Sequence, residues 1–352
     1  MGPQLREWEC RDHDEPERTG GHGARNGRPW QGDTRVDESV KTCTKRFVAI
    51  GVESTLESRG AYREMMFRTP GIGEYVSGAI LFDETIRQAA ADGTPLTGVL
   101  KAAGVFPGIK VDAGTKPLPG SPDETITEGL DGLPARLAEY RGLGARFTKW
   151  RATFLITAEL PSERCIAANA EALASYASMV QEAGLVPIVE PEVLMDGDHD
   201  IRRCEEVTTA VLERVFAELA AKRVLLEGIV LKPNMVIPGT GSTDQSSAAE
   251  IAERTVATLR RCVPEAVPGI AFLSGGQTGE QACANLNAMQ WDGLPWELTY
   301  SFGRALQYPA IEVWAGNSAN AAAAQAALRH RLRMSSLARS GRYMDAAEQQ
   351  PD

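Results

Sequence analysis

The chain has 352 residues, 43% hydrophobic and 24% charged, which is ample apolar material for a folded core. Its formal net charge is -10 and no apolar run reaches transmembrane length, so neither nucleic acid nor a membrane is an expected partner. The six cysteines form no C-x-x-C pair and the four histidines no H-E-x-x-H pair, so we expect neither a disulfide framework nor a histidine-built metal site.

The first 36 residues differ in composition from the rest of the chain. Residues 6–35 are rich in Arg, Asp, Glu and Gly and lack apolar periodicity, so irregular structure is expected there. Residues 30–36 contain only two apolar side chains, Trp30 and Val36, and do not show the pattern of a barrel strand. We therefore expect residues 1–36 to form a divergent segment outside the folded domain.

From about residue 39 onward, short apolar runs alternate with longer amphipathic segments. Strands are predicted at residues 75–82, 105–111, 145–152, 185–189, 225–231, 269–273 and 298–303, with helices between them such as 166–183, 205–221 and 248–261. This alternation favours a TIM (β/α)8 barrel over residues 37–335 in which one strand is not visible, followed by a C-terminal tail at 336–352. A doubly wound open sheet is the alternative, although no G-x-G-x-x-G motif follows any predicted strand.

Charged residues lie at or near the carboxyl ends of five predicted strands. They are Lys110, Lys149 with Arg151, Glu190 with Glu192, Lys232, and Arg304. In a barrel these ends converge on one mouth, where TIM-barrel active sites lie. A single such residue would most often be a solvated charge, but five strands ending this way favour a functional site, because buried charges are costly unless paired. Cations and carboxylates together suit a phosphorylated substrate and acid–base chemistry.

Lys232 is the best candidate nucleophile. Apolar residues 229–231 precede it, and Lys149 would place a like charge nearby. Desolvation and a neighbouring cation both favour the neutral amine that can attack a carbonyl. Glu190 and Glu192 supply carboxylates that could move protons.

Two glycine-bearing turns are candidate anion sites. Residues 273–277, Leu-Ser-Gly-Gly-Gln, follow a predicted strand and precede a helix, so their N–H groups could bind phosphate. A Ser-Gly-Gly turn is common and would most often be a plain turn. Its expected position beside Gly303 and Arg304 favours an anion site here.

Six motifs in order resemble the class I fructose-bisphosphate aldolase family over about residues 36–343. They are GIKVD at 108–112, KWR at 149–151, VEPE at 189–192, LKPNM at 231–235, FLSGGQ at 272–277 and FGRALQ at 302–307. The resemblance implies reversible cleavage of fructose 1,6-bisphosphate to dihydroxyacetone phosphate and glyceraldehyde 3-phosphate. It further implies no cofactor and no metal, a cytoplasmic location and a homotetramer.

The resemblance also implies roles for individual residues. Lys232 matches the Schiff-base lysine, Glu190 the acid/base of carbinolamine dehydration with Glu192 beside it, Lys149 an assisting lysine, and Asp37 the aspartate of carbon–carbon cleavage. One phosphate would bind at Ser274, Gly275, Gly276, Ser301, Gly303 and Arg304. The other phosphate or the sugar would bind at Ser39, Thr42, Arg46, Lys110 and Arg151.

The sequence differs from the family pattern at the first strand. Residues 30–36 stand where the family has an apolar strand that usually includes a pair of alanines. Two alternatives therefore stay open: a non-catalytic or impaired barrel that serves as a scaffold, and a Schiff-base enzyme with another sugar-phosphate substrate.

Overall fold

Eight parallel strands form a closed barrel in the computed structural model, which describes residues 31–243 and 246–349 together with two short paired strands, Ala24–Arg25 and Arg28–Pro29. The barrel strands are β1 (Asp33–Val36), β2 (Gly78–Leu81), β3 (Phe106–Lys110), β4 (Phe147–Phe154), β5 (Val186–Val193), β6 (Val230–Leu231), β7 (Gly269–Phe272) and β8 (Glu297–Phe302). Each strand pairs with the next, and β8 pairs with β1. The expected TIM barrel is confirmed, and the open-sheet alternative is wrong.

The connections are mostly helical, as the alternation of strand and helix patterns predicted. Within the described residues the α-helices are Val40–Ala49, Leu56–Phe67, Ile72–Tyr75, Asp83–Ile86, Leu96–Ala102, Leu133–Gly142, Glu163–Glu182, Ile201–Ala221, Ala248–Cys262, Gly279–Ala288, Arg304–Trp314 and Ala321–Arg339. Short 3-10 turns occupy Leu226–Gly228, Ser318–Asn320 and Asp345–Gln349. The strand predicted at 225–231 is therefore shorter than expected, because a 3-10 turn fills its first half. An antiparallel hairpin, Gly114–Leu118 with Ser121–Glu128, lies outside the barrel and was not predicted.

The barrel has two apolar layers, because successive side chains of a strand point to opposite faces. Most buried hydrophobic residues lie between the strands and the outer helices. A second, smaller cluster consists of Ile80, Phe147, Val186, Ile188, Val230 and Ala271, with Phe106 packed against it. The packing is close enough that a Cβ atom added at Gly108 would lie 2.2 Å from the Phe147 ring. This apolar cluster contains residues from β2, β4, β5, β6 and β7, one or more from each.

The first strand is short and polar, and it differs from the expectation for residues 30–36. Asp33–Val36 is a barrel strand, whereas the barrel was expected to begin at residue 37. Parallel pairing to β2 on one side and β8 on the other satisfies its backbone groups, which compensates for the weak side-chain pattern. Gly32, at a φ of +113°, leads into the strand where a side chain would meet the Tyr300 carbonyl. Trp30 and residues 1–23 lie outside the described residues.

The carboxyl-terminal boundary also differs from the expectation. The last long helix, Ala321–Arg339, continues past the boundary expected between residues 335 and 336. Its inner face is buried through Leu332, Met334 and Ala338, so the packed domain extends beyond that boundary. Residues 350–352 of the expected tail lie outside the described residues.

Asp33 is a fully buried carboxyl group whose charge costs stability, so we expect the Asp33→Asn variant to be more stable near neutral pH. Burial raises the pKa of Asp33 from 3.8 to about 6, against the lowering effects of Lys232 and of the Ser301 hydrogen bond. The protonated form is therefore favoured by folding, and its stabilising contribution, present below pH ~4, is lost as the pH rises through about 6. Removing this charge should stabilise the protein by roughly 2 kcal/mol at pH 7.5 and by little at pH 4.

Thermal unfolding of both proteins across this pH range measures the effect. The exposed Asp131→Asn variant is the matched control, because it changes an aspartate to asparagine away from the barrel interior. A stability difference for Asp33→Asn that does not change between pH 4 and pH 7.5 would contradict the prediction.

Candidate active site

A cavity of about 840 Å³ opens at the carboxyl ends of the barrel strands. It is lined by most of the residues that the sequence singled out: Asp37, Ser39, Thr42, Arg46, Lys110, Lys149, Arg151, Glu192, Ser274, Gly275, Ser301, Gly303 and Arg304. Glu190 and Lys232 do not line the cavity and are fully buried. Gly276 is also absent from the lining, and its N–H group donates to the Met195 sulfur. Lys110, Lys149, Arg151, Glu192 and Arg304 therefore converge on one mouth, as expected, whereas Glu190 and Lys232 are buried next to Lys149.

Four charged side chains of alternating sign form a connected row in the barrel interior. The Lys149 Nζ atom lies 2.8 Å from Asp37 Oδ2 and 3.2 Å from Glu190 Oε2. The other oxygen of Glu190, Oε1, lies 3.3 Å from the Lys232 Nζ atom. Strands β4 and β5 and the residues that follow β1 and β6 supply these side chains, which are almost completely buried. The row Asp37, Lys149, Glu190 and Lys232 is called the charged row below.

Burial and neighbouring charges give the two lysines of the charged row different proton affinities. Burial lowers the pKa of Lys232 to about 8, although the negative charge of Glu190 acts to raise this pKa. The positive charges of Arg35 and, less strongly, Lys149 lower it further. Burial also acts to lower the pKa of Lys149, but Asp37 and Glu190 outweigh it and raise the pKa above 10.5. Lys232 is thus the more readily deprotonated amine, whereas Lys149 stays a cation.

Glu190 is held as a carboxylate between the two lysines. Burial would raise its pKa, but Lys149 and Lys232 lower it to about 2. Its position beside Lys232 allows proton exchange with an intermediate there, in which the low pKa makes Glu190 a weak base and its conjugate acid a strong proton donor.

Cations around the mouth are held by carboxylates or by the backbone. Arg46 pairs with Glu38 at 2.6 Å, and Arg151 forms an ion pair with Glu192. Lys110 contacts both the carboxylate and the carbonyl group of Asp112. Fixed cations of this kind can bind an anion without first being ordered.

The glycine-bearing turns after β7 and β8 lie against each other. The Arg304 Nη2 atom donates to the Gly275 carbonyl oxygen at 2.9 Å. Gly275 has a φ of +56°, a left-handed conformation that favours glycine. Arg304 is also the first residue of the helix Arg304–Trp314. The two turns and this helix terminus together suit the binding of one phosphate group.

Arg35 is part of this site and was missed as a candidate in the sequence. Its Nε atom lies 3.0 Å from Asp37 Oδ1, and its Nη1 atom lies 3.9 Å from Glu190 Oε1. The signal was present, because strand alternation places residues 33, 35 and 37 on one face, and Asp37 was already expected to point inward. Arg136 and Asp112 also line the cavity and were not named as site residues.

Two further features of the described residues concern metal ions and membranes. Over residues 31–243 and 246–349, no three His, Cys, Asp or Glu side chains are grouped so that they could hold a metal ion. In the same part of the chain, every helix is too short or too polar to cross a membrane.

Comparison with known proteins gives consistent matches along most of the chain. The family model "Fructose-bisphosphate aldolase class-I" matches residues 26–352. A probable fructose-bisphosphate aldolase class 1 of Xanthomonas campestris pv. campestris is 52% identical, over 90% of this chain and 95% of its own length. Fructose-bisphosphate aldolase 5, cytosolic, of Arabidopsis thaliana is also 52% identical, over 91% of this chain and 89% of its own length.

A solved structure agrees with these matches. Fructose-bisphosphate aldolase from Plasmodium falciparum, crystallised with TRAP and a small-molecule inhibitor, superposes with a TM-score of 0.88. It is 45% identical to this chain, and the superposition covers 89% of this chain and 91% of the other. The likeness therefore includes the barrel and most of its loops.

The contacts of the charged row lead to a prediction about the pKa of Lys232 that can be tested without measuring catalysis. The Glu190→Gln variant removes the anion that most strongly raises the pKa of Lys232, so this pKa should fall below about 8. The neutral amine then becomes more abundant at pH 7, and a small acylating reagent should modify Lys232 several-fold faster there. Peptide mass spectrometry over a range of pH values gives the midpoint of the reaction.

Glu192→Gln is the matched control for this experiment. Glu192 forms its ion pair with Arg151, so its substitution should leave the Lys232 midpoint in place. Equal shifts in the two variants would show that Glu190 has no special effect on Lys232.

Proposed function

This chain belongs to the class I fructose-bisphosphate aldolase family, and we propose that its Lys232 amine forms the Schiff base with the ketone of the sugar phosphate. As a member of this family it is a lyase that reversibly cleaves fructose 1,6-bisphosphate to dihydroxyacetone phosphate and glyceraldehyde 3-phosphate. The observation that supports Lys232 most directly is its burial beside Glu190, which combines a lowered pKa with a carboxylate 3.3 Å away.

The proposed first stage is formation of the imine. The neutral Lys232 amine attacks the ketone carbon C2 and forms a carbinolamine, whose hydroxyl group leaves as water. Glu190 transfers the protons of this stage, because it lies next to Lys232 and its burial is compensated by two lysines. Lys149 stays protonated and stabilises negative charge that develops on the substrate oxygen. Glu192 holds Arg151 in place at the mouth.

The proposed second stage is cleavage of the bond between C3 and C4. The Asp37 carboxylate takes the proton of the C4 hydroxyl group, and the oxygen forms the carbonyl group of the aldehyde. The electron pair of the broken bond forms C2=C3 of an enamine, and the iminium nitrogen accepts the displaced pair. Protonation of C3 and hydrolysis of the imine then release dihydroxyacetone phosphate and the free lysine.

Two separate groups of phosphate ligands support a bisphosphate as substrate. The first consists of the two glycine-bearing turns, with Ser274, Gly275, Gly276, Ser301, Gly303 and Arg304. The second consists of Lys110 and Arg151, which belong to β3 and β4, and of Ser39, Thr42 and Arg46, which follow β1. Gly276 does not line the cavity and its N–H group donates to Met195, so its proposed contribution is to shape the first turn.

The scaffold alternative, a barrel without catalysis, receives no support from the site. The ion pairs of the charged row are formed in spite of the unusual first strand. A preference for another ketose phosphate is addressed by comparing substrates with one and two phosphate groups in the same assay.

Borohydride reduction in the presence of dihydroxyacetone phosphate should attach the substrate to Lys232 alone, because Lys232 is the buried lysine with the lowered pKa. Peptide mass spectrometry identifies the labelled residue. Lys232→Arg should abolish labelling, while Lys149→Met should slow it and keep Lys232 as its site. A label on another lysine, or none in the folded native protein, would show that the Lys232 assignment is wrong.

A chelator serves as the second control for the same preparation. Cleavage of fructose 1,6-bisphosphate should be unchanged by EDTA, because the protonated imine takes the electrons that a metal ion would otherwise take. Loss of activity on chelation, with recovery on addition of zinc, would contradict the Schiff-base mechanism.

Family membership and its named cytosolic relatives also support two further proposals, a homotetramer and a cytoplasmic location. Light scattering of the purified protein would give the mass of the assembly, and fractionation of the source cells the location. A monomer over the working concentration range would contradict the first proposal.

A further inference from the structure

Arg35 places a guanidinium group in the cavity beside the aspartate that is proposed to cleave the carbon–carbon bond. The Arg35 side chain is 28% exposed, and it reaches from β1 toward Asp37 and Glu190. Gln307 donates a hydrogen bond to the Arg35 carbonyl oxygen, which fixes the backbone at this position. The Arg35 Cβ atom packs near Gly303 of the glycine-bearing turn after β8.

Both oxygens of Asp37 are occupied by cations. Arg35 Nε donates to Oδ1 at 3.0 Å, and its Nη2 donates to Oδ2 at 3.4 Å. The Lys149 Nζ atom lies 2.8 Å from the same Oδ2. A hydroxyl group can still donate to a free lone pair of Oδ1, but it meets a carboxylate that two cations already stabilise. A carboxylate held in this way is a weak base, and general-base efficiency depends on basicity.

We propose that Arg35 is a positioning residue that restrains Asp37, so that carbon–carbon cleavage, and not Schiff-base formation, limits turnover. This inference rests on the proposed function, in which Asp37 takes the proton of the C4 hydroxyl group. That proton moves to the Asp37 carboxylate while the C3–C4 pair enters the enamine, so every contact that stabilises the free carboxylate raises the barrier of this step.

The same guanidinium group acts in the opposite direction on the first stage. After burial and Glu190, Arg35 has the largest effect on the pKa of Lys232. It lowers this pKa because its positive charge disfavours the protonated amine. Arg35 therefore favours the nucleophile of imine formation while it weakens the base of cleavage. Experiments that measure the two stages separately can distinguish this effect from a general loss of structure.

The Arg35 guanidinium group contacts Asp37 and Glu190, the carboxylates of the charged row, where the bond changes are proposed to occur, so we expect its main effect on the reaction and not on phosphate binding. It forms two hydrogen bonds to Asp37 and lies 3.9 Å from Glu190. The proposed phosphate ligands Arg304 and Arg151 are separate residues. Removal of Arg35 should therefore affect kcat more than KM.

The test uses the Arg35→Met and Arg35→Lys variants of the full chain. Arg35→Met keeps a long apolar side chain and leaves Asp37 paired with Lys149, so we expect the rate of fructose 1,6-bisphosphate cleavage to rise on the order of tenfold. Borohydride trapping with dihydroxyacetone phosphate should not become faster, because the Lys232 amine loses a cation that favours its neutral form. Arg35→Lys keeps the charge and should lie between the native protein and Arg35→Met.

The pH profile of cleavage provides an independent readout. Burial acts to raise the pKa of Asp37, and Arg35, Lys149 and Lys232 together lower it well below 3.8. Glu190 and Asp112, the carboxylates that share Lys149 with Asp37, stay in place in the variant. Without Arg35 the pKa of Asp37 should rise, so the acid limb of kcat should move to higher pH.

The surface variant Arg68→Met is the control, since Arg68 pairs with Glu64 and Asp92 away from the cavity. Its cleavage rate and its trapping rate should equal those of the native protein. An unchanged or lower kcat in Arg35→Met, with native trapping, would overturn the inference and leave the Schiff-base assignment intact. A rise in KM alone would also overturn it, because Arg35 would then be a substrate ligand. Failure of the native protein to trap any lysine would instead refute the proposed function, and the inference with it.

Discussion

The barrel interior depends on keeping buried charges in contact with opposite charges. Moving an ion out of water costs several kcal/mol even after relaxation, so an isolated lysine at the Lys232 position would lose its proton or destabilise the fold. The charged row avoids this outcome by alternating carboxylates and amines on neighbouring strands, with Glu190 shared by two lysines. The order of the strands therefore determines these contacts: β4, β5 and β6 must be adjacent for Glu190 to contact both Lys149 and Lys232.

The polar first strand adds two further charges to this interior. Asp33 lies within the field of Lys232, and Arg35 lies against Asp37 and Glu190. Arg35 thus has opposite partners within 4 Å, and Lys232 offsets part of the cost of burying Asp33, which helps a barrel to close around a strand with a single buried aliphatic residue, Val36. The compensation is incomplete, because the second carboxylate oxygen of Asp33 is buried with no hydrogen-bond donor among the described residues.

The sequence predicted the site better than it predicted the strand that enters it. Seven strands had apolar runs, and the charges at the ends of five of them indicated both the barrel and its mouth. The strand Asp33–Val36 had no such run, because its stability comes from backbone pairing to β2 and β8, and a sequence does not show its pairing partners. The contact between Arg35 and Asp37 was missed because residues 30–36 were not predicted to form a strand, so the alternation of side chains was not applied to them. The lowered pKa of Lys232 was expected from desolvation, whereas the contribution of Arg35 required the folded structure.

The apolar cluster in the barrel bears on the path of water. Phe147, Ile188 and Val230 lie on β4, β5 and β6, two residues nearer the amino ends than Lys149, Glu190 and Lys232. Packed apolar side chains thus lie on the amino-terminal side of the charged row, and the cavity, which Lys149 lines, lies at the carboxyl ends of the strands. In the proposed reaction, the water of imine hydrolysis then approaches from the side of the cavity, where the aldehyde also departs. The ketone fragment stays bound to Lys232 as the enamine until C3 is protonated and the imine is hydrolysed, so the aldehyde leaves first and the ketone second.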